Sequence, residues 1–253
     1  NVALKARFAL KDGPGTRPPE WTALLKLSDV AVSKPLGGHK ISSIDGEMKI
    51  NPLSAKLEAD AKVEGVPLHF SLVEPLSKAS RQKRQRVVTA NLEAKQLEKL
   101  VPGVSDIATG PLTLKTELRD DGSQAVSAGL AKAKIVIPWA GWEKGAGVPA
   151  TVEFVTKKDG DHFVISDFDF SGDGFGAKGS LQTDAQGVAM AEFSKVKLAP
   201  TDDVAVKILR SGGRYTINAS GKSADARGLL TRLKSQGTSE GGGDIDFSVN
   251  AKI

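Results

Sequence analysis

The alternation of apolar and polar residues is the feature that most constrains this chain. In residues 2–11, VALKARFALK, every second side chain is apolar and most of the others are basic. Successive side chains of a strand point to opposite faces, so a period of two predicts strands with one apolar face. Comparable segments recur up to the last ten residues, DIDFSVNAKI. The sequence therefore predicts a mainly β chain.

Turn signals separate the alternating segments. Asp- or Gly-containing runs occur at residues 11–13, 119–122, 157–160, 184–187 and 211–213. Such runs connect hairpins, so consecutive strands are expected to be antiparallel neighbours. Helical periodicity is confined to two short segments, residues 93–101 and a segment that Ser223 caps and that carries Leu229, Leu230 and Leu233.

Internal similarity indicates a repeated strand module. KLSDVAVS at residues 26–33 aligns with VISDFDFS at residues 164–171. Repetition of this kind predicts a sheet that grows by adding modules, with a closed sandwich as the alternative. We predict one continuous section of a long, curved and twisted antiparallel sheet, with approximate modules at residues 1–80, 87–160 and 161–253.

The apolar face of such a sheet must be covered by a second sheet, by its own curvature or by a ligand. A hydrophobic groove of mostly aliphatic side chains would suit acyl chains. The predicted lining consists of the larger apolar residues of the alternating segments. They are Leu4, Phe8, Leu10, Ile44, Met48, Ile50, Leu57, Val63, Leu68, Phe70, Leu112, Leu114, Leu118, Ile135, Ile137, Val152, Phe154, Phe168, Phe170, Phe175, Leu181, Val204, Val206, Ile208, Tyr215, Ile217, Phe247 and Val249.

Charge and composition argue against a nucleic-acid partner. The chain has 35 Lys and Arg against 30 Asp and Glu, and the two signs are interspersed. A nucleic-acid site would cluster positive charge and add aromatic residues, which make up only 5% of this chain. The one dense basic run, RQKRQR at residues 81–86, is interpreted as a solvated loop or strand edge, with contact to anionic lipid head groups as the alternative.

Candidate chemical groups are sparse. The chain has no cysteine, which excludes disulfides and thiolate metal sites. His39, His69 and His162 are far apart in sequence and are interpreted as surface residues, and the acidic pairs in RDD and TDD as turn residues. We therefore expect no enzyme activity, metal or cofactor. Trp139 and Trp142 are predicted to plug a local core, or alternatively to contact a membrane interface or partner.

The segment GFGAKG, residues 174–179, fits a dinucleotide-binding fingerprint, but that site needs a helix that begins within the motif. An alternating segment follows instead. The apolar positions change from even at Phe168 to odd at Phe175, which predicts a hairpin turn with an added or missing residue. We expect Phe175 on the apolar face, Lys178 in solvent, and glycines that permit a bulge or bend.

Two segments resemble a known family. ISDFDFSGDGFGAKGSLQTDAQG and the sequence after it, up to the SADAR helix entry and Leu230, resemble the repeat region of AsmA-like proteins of the YhdP type from Gram-negative envelopes. LEAKQLEKLVPGVSDIATGPLTLKTEL, residues 92–118, resembles the short-helix, Pro-Gly and strand unit of the same superfamily. Together the two segments cover just over a third of the chain.

The resemblance implies a bridge-like lipid-transfer protein. Members are anchored in the inner membrane, cross the periplasm as a long sheet with a hydrophobic channel, and are associated with phospholipid movement to the outer membrane. This chain lacks the anchor and is shorter, so we expect an internal periplasmic section that binds phospholipids and reaches both membranes through other segments. The alternative is a scaffold for outer-membrane or envelope assembly with envelope protein partners.

Overall fold

The computed structural model describes residues 21–32, 39–101, 103–137, 140–212, 214–223 and 245–251. Its elements are mostly strands, as the alternation predicts. The strands are β1 Ala23–Val30, β2 Ile41–Ile50, β3 Ser54–Val63, β4 Val66–Pro75, β5 Gln85–Glu93, β6 Ala108–Thr109, β7 Pro111–Leu118, β8 Gln124–Gly129, β9 Lys134–Ile137, β10 Trp142–Lys144, β11 Ala150–Asp159, β12 His162–Gly172, β13 Phe175–Asp184, β14 Gly187–Lys197, β15 Asp203–Ser211, β16 Arg214–Ser223 and β17 Ile245–Ala251. The helices are α1 Ala94–Leu97 and α2 Val104–Ile107.

Fourteen strands form one large sheet, in the order β1-β2-β3-β4-β5-β7-β8-β11-β12-β13-β14-β15-β16-β17. Thirteen of them form an antiparallel sheet that is not closed, and β17 joins β16 in parallel. The remaining strands form a small sheet in the order β10-β9-β6. The prediction of a large antiparallel sheet built by adding neighbours in sequence is confirmed.

The helices differ from the prediction in length and position. α1 is capped by Glu93, whose N–H donates to the Gln96 side chain at 2.8 Å, and it ends at Leu97. The second helix is α2, after Gly103, which the sequence pattern predicts only as a helix stop. Residues 224–235, where the other helix is predicted, lie outside the described residues, and Ser223 is the last residue of β16.

Contacts divide the chain into two compact units. Unit 1 comprises Asn1–Asn91 and Lys115–Arg119, and unit 2 comprises Leu92–Leu114 and Asp120–Ile253. Each unit has a local core of small and aliphatic residues. In unit 1 it includes Ala59, Ala61 and Val66, and in unit 2 Ala191 and Ile217.

The two aligned sequence segments form the same local structure. Asp29 and Asp167 occupy equivalent positions and both have a left-handed backbone, with φ of 47° and 52°. Both lie where the strand register shifts, between residues 27 and 30 in β1 and between residues 165 and 168 in β12. Asp tolerates this conformation better than most residues, and an extra residue at this point makes a β-bulge. The Ser-Asp pair of the repeat therefore marks a bulged strand.

A glycine on the next strand accompanies each bulge. Gly46 pairs with Leu27, and Gly179 pairs with Phe168. A Cβ atom at either glycine would lie 2.2 Å from a backbone carbonyl oxygen of the following strand. No side chain fits at that distance, so the glycines permit close approach of neighbouring strands beside the bulge.

Candidate functional site

One face of unit 1 carries rows of apolar side chains that run across the strands. Residues paired directly in an antiparallel sheet point to the same side, so the register defines each row. The first row is Leu25, Met48, Leu57 and Leu72, and all four side chains are half-buried. The second row is Leu27, Gly46, Ala59, Phe70 and Val88.

A charged cluster ends this face. Glu74 continues the row of Ala23, Ile50 and Ala55. Its Oε2 atom accepts a hydrogen bond from Arg84 Nε at 2.8 Å, and its Oε1 atom accepts one from Arg86 Nε. The Arg86 hydrogen bond, and then the Arg84 one, hold the pKa of Glu74 below its ordinary value. The apolar rows therefore lead directly to paired charges.

One face of unit 2 also carries apolar rows. One row consists of Ala128, Val152, Phe170, Ala177, Val196 and Val204. A second row consists of Phe168, Gly179, Phe193, Val206 and Ala219. A third row consists of Ile165, Leu181, Ala191, Ile208 and Ile217. Most of their large side chains are half-buried, so they keep surface that another molecule could cover.

Aromatic rings cross these rows. Phe168 contacts Phe154 and Phe193, with ring centroids 6.3 and 5.7 Å apart. The edge-to-face arrangement of Phe168 and Phe193 is a favoured one for aromatic pairs. The rings meet where Gly179, with no side chain, separates Phe168 from Phe193 in the row. Gly179 thus leaves space that its two neighbours fill.

Trp142 covers one end of the unit 2 face. Its ring centroid lies 5.2 Å from that of Phe175 and 6.1 Å from that of Phe170, and its Nε1 atom donates to the Leu198 carbonyl oxygen at 2.8 Å. The prediction that this tryptophan plugs a local core is confirmed. Trp139 lies outside the described residues.

Lys144 fixes the loop that follows Trp142. The residue is only 2% exposed, and its Nζ atom donates to the carbonyl oxygens of Ala133, Gly145 and Val148 at 2.7, 3.0 and 2.9 Å. Burial lowers the pKa of its ammonium group. The sequence pattern does not identify this lysine, because a single Lys in a Gly-rich loop has no spacing signal that distinguishes it from a solvated one.

A second charged cluster lies at the end of β15 and the start of β16. Arg210 pairs with Tyr215 across these strands and forms an ion pair with Asp184. The side chains of Arg210 and Asp184 are only 11% and 16% exposed. The Arg210 hydrogen bond, followed by that of the Gln186 N–H, lowers the pKa of Asp184. As in unit 1, an arginine and a carboxylate lie next to the apolar rows.

The structure places the predicted lining residues in several environments. Those in the rows above lie on one face of their unit, and Ile44 lies half-buried in β2 next to the bulge. In β7, Leu112 is buried whereas Leu118 is exposed. Val63 in β3 and Leu68 in β4 lie beside the rows. Phe247 and Val249 lie in β17, of which only the backbone is described. Three other predicted residues, Leu4, Phe8 and Leu10, lie outside the described residues.

Two predicted residues belong to the other sheet. Ile135 and Ile137 lie in β9, which pairs with β6 and β10 instead of joining the large sheet. Ile135 pairs with Ala108 and Lys144, and its side chain is buried in this small sheet. Alternation predicts a strand in β9 correctly, but it contains no information about which sheet the strand joins.

GFGAKG forms the turn and first half of β13. Gly172 pairs with Phe175, so the loop is a two-residue turn of Asp173 and Gly174, and Gly174 has a φ of 82°. The predicted added or missing residue is wrong at this turn, because a two-residue turn itself exchanges even and odd positions. The inserted residue instead lies at the bulge before Phe168.

The two side chains of GFGAKG point as predicted. Phe175 packs against Trp142, and Lys178 is exposed and bonds to Asp169 at 2.6 Å. Residues 175–184 form a strand, so no helix supplies the amides that a dinucleotide site requires. The segment is therefore a hairpin with a returning strand.

The predicted surface histidine His69 lies beside a shallow depression of about 610 Å³ in unit 1. Its Nδ1 atom lies 2.9 Å from Asp60 Oδ1 and its Nε2 atom 3.4 Å from Glu58 Oε2. The hydrogen bond with Asp60 raises the pKa of His69. All three side chains are well exposed, so water screens their interaction. Among the described residues, no cluster of His, Asp or Glu could hold a metal ion.

Comparisons with known proteins do not assign the chain to a family. No protein-family model, curated protein or solved structure matches it. In the part of the chain that the structure describes, no helix has both the length and the hydrophobicity needed to cross a bilayer. The resemblance to AsmA-like proteins remains a prediction.

Proposed function

We propose that the chain is a section of a periplasmic lipid-conducting protein, in which phospholipid acyl chains lie on the apolar rows. The observation that carries the proposal is the half-burial of the large side chains in these rows, most completely in the first row of unit 1. The first row of unit 1 contains four large aliphatic side chains, and all four keep part of their surface uncovered. A sheet face packed on a protein core would bury them.

Acyl chains fit this face by chemistry and by energy. Each methylene group that leaves water contributes about 0.8 kcal/mol, so a chain that covers several side chains gains substantial free energy without any polar contact. Rows that repeat from strand to strand offer similar contacts at successive positions. A lipid can then move along the rows without leaving one deep site.

The charged clusters suit the other end of a phospholipid. In unit 1 the first row continues from Leu72 to Arg86, and in unit 2 Arg210 lies two residues beyond Ile208 of the third row. A phosphate accepts hydrogen bonds from guanidinium groups, so the head group can stay at these charges while the tails cover the rows. The sheet face and its ends together match an amphiphile better than a wholly apolar ligand.

The test is the lipid content of the purified chain by mass spectrometry. We expect phospholipid to copurify with the native sequence and to be lost from Leu57→Asp and Leu181→Asp, which place a carboxylate in the rows. Lys56→Asp and Ser180→Asp are the matched controls, because these neighbours are exposed. Circular dichroism establishes that each variant is folded. Folded native protein without lipid, or equal lipid in Leu57→Asp and Lys56→Asp, would contradict the proposal.

The second candidate is an interaction scaffold, which the position of β1 favours. β1 is the outer strand of the sheet among the described residues, and its Leu24 and Val30 are exposed. An outer strand can pair with an extended segment of a partner. Photo-crosslinks from Leu24 to an envelope protein, together with no recovered lipid, would favour this function over lipid conduction.

A further inference from the structure

A tip of unit 1 combines exposed leucines with concentrated positive charge. The leucines are Leu53, between β2 and β3, and Leu76, directly after β4. They are 46% and 56% exposed, and the Leu76 N–H donates to the Leu53 carbonyl oxygen at 2.9 Å. The two loops are therefore held side by side with both leucines at the surface. We call Leu53 and residues 76–84 the basic tip.

The cations of the basic tip follow Leu76 closely. Between Glu74 and Arg86 the chain has five basic residues and a single carboxylate. Arg84 and Arg86 contact that carboxylate, whereas Lys78, Arg81 and Lys83 are exposed and form no ion pair within the described residues. Positive charge at this tip is thus not neutralised by the protein itself.

The backbone of the basic tip is hydrogen-bonded on both loops. Asn51 Oδ1 accepts from the N–H groups of Leu53 and Ser54 at 2.8 Å each. The Ser80 N–H donates to the Ser77 carbonyl oxygen at 3.0 Å, and the Ala79 N–H donates to Ser77 Oγ at 3.2 Å. These bonds present the leucines and cations from a formed loop, which lowers the ordering cost of binding.

We propose that the basic tip is a docking site for the surface of an anionic phospholipid bilayer. Leucine side chains insert at the boundary between head groups and acyl chains, while Lys and Arg remain among the phosphates. Charge complementarity selects this occupant, because the tip pairs three uncompensated cations with two apolar anchors. The proposal goes beyond lipid conduction and does not depend on it, since a chain can dock on a bilayer without carrying lipid.

The test uses the full chain and vesicle flotation. Vesicles of phosphatidylcholine with phosphatidylglycerol are compared with vesicles of phosphatidylcholine alone. We expect native protein to float only with the anionic vesicles. Each basic residue near an anionic surface contributes about fivefold to partitioning, so the triple variant Lys78→Gln, Arg81→Gln and Lys83→Gln should lose about 100-fold. Leu53→Ser with Leu76→Ser should lose about tenfold.

A charge-matched control separates docking from net charge. Lys132, Lys158 and Lys195 are exposed residues of unit 2 without an ion pair among the described residues. Their triple substitution by Gln removes the same charge and should leave flotation unchanged. Equal loss in both triple variants, or binding of native protein to neutral and anionic vesicles alike, would overturn the proposal. So would failure of native protein to float at all.

The same samples distinguish this proposal from lipid conduction. The triple variant of the basic tip keeps the apolar rows, so it should still copurify with phospholipid if conduction is correct. Leu57→Asp should float with anionic vesicles as the native protein does. Binding of the native protein to RNA that the basic-tip variant loses, without vesicle binding, would assign the tip to another partner and overturn docking.

Discussion

Each of the two units builds an apolar face, and the two faces consist of different side chains. Unit 1 uses Leu25, Met48, Leu57 and Leu72, which are flexible aliphatic groups. Unit 2 uses a network of rings, and Trp142 covers its end through a hydrogen bond to Leu198. The bulge is nevertheless at the same position of the repeat in both, with a close-packed glycine opposite the residue before it in unit 1 and opposite the residue after it in unit 2. The backbone module is therefore separable from the side chains that it presents.

This difference in side chains should affect the folding stability of unit 2 and the ligand access of unit 1. Rings that contact one another, and a tryptophan bonded to the backbone, stabilise their own unit and leave less surface for another molecule. The aliphatic rows of unit 1 contain no such network among the described residues, so under the proposed function we expect them to be more available to acyl chains. We accordingly expect substitutions in unit 2 to cost more folding free energy, and substitutions in unit 1 to affect lipid more.

The largest change in the free energy of unfolding is expected at Trp142, which covers one end of the unit 2 face. Trp142→Ala removes two ring contacts and the bond to Leu198, so the free energy of unfolding should fall by about 3 kcal/mol. Leu72→Ala in unit 1, where the side chain is half-buried, should lower it by only about 1 kcal/mol. Urea unfolding followed by circular dichroism measures both. Equal losses would mean that the rings add nothing to unit 2.

The two close-packed glycines beside the bulges should respond alike. Gly46→Ala and Gly179→Ala each place a Cβ atom against a backbone carbonyl oxygen, so each should destabilise its unit by about 2 kcal/mol. Gly145→Ala is the control, because its Cβ atom would meet nothing within 4 Å. Thermal unfolding of the three variants provides the comparison. A large loss of stability in one glycine variant and none in the other would mean that the two bulges do not need the same close approach of strands.

Lys144 tests the small sheet of unit 2. Lys144→Met keeps the length of the side chain but leaves three carbonyl oxygens without their donor, which should lower the free energy of unfolding by about 2 kcal/mol. Lys134→Met, an exposed lysine of the same sheet, should have little effect. Amide hydrogen exchange of β9 and β10 should accelerate in the first variant alone. Unchanged exchange would show that the three bonds are dispensable.

The smallest effects concern pH, and their signs are opposite in the two units. The pKa of His69 is raised above 6.5 by Asp60, so its contribution is full below that value and is lost as pH rises through the folded pKa. The pKa of Asp184 is lowered below 3.8 by Arg210, so its contribution is present above that value and is lost as pH falls through the folded pKa.

NMR titration resolves these two groups. Asp60→Asn should lower the pKa of His69 towards 6.5, and Arg210→Gln should raise the pKa of Asp184 towards 3.8. The effect on stability should be slight for His69, whose side chain is 47% exposed. An unchanged His69 titration in Asp60→Asn would contradict the assigned partner.

Alternation was sufficient to predict the strands and the face of most apolar residues. Parity places Phe168, Phe170 and Phe175 on one side of the sheet, and the register agrees. The repeat KLSDVAVS and VISDFDFS is also visible in the sequence, but the sequence does not show that the repeat forms a bulged strand. A Ser-Asp pair is compatible with ordinary turns, so only the register shift identifies it as a bulge.

Long-range organisation was beyond the sequence pattern. β9 joins the small sheet in part by pairing with β6, and β6 is a strand of only two residues. The buried ammonium of Lys144 depends on three carbonyl oxygens that a loop brings together. Neither the β6–β9 pairing nor the Lys144 hydrogen bonds produce a periodic pattern in the sequence. Pairing between distant segments is decided by geometry that local alternation does not encode.

Photo-crosslinking along consecutive residues is the most direct test of the claim that acyl chains lie on the apolar rows. A benzophenone side chain is introduced singly at Leu57 and Glu58 in β3, and at Ser180 and Leu181 in β13. We predict lipid adducts at Leu57 and Leu181 but not at their exposed neighbours, with the stronger signal in unit 1. Adducts at all four positions, or at none in folded protein, would contradict the account.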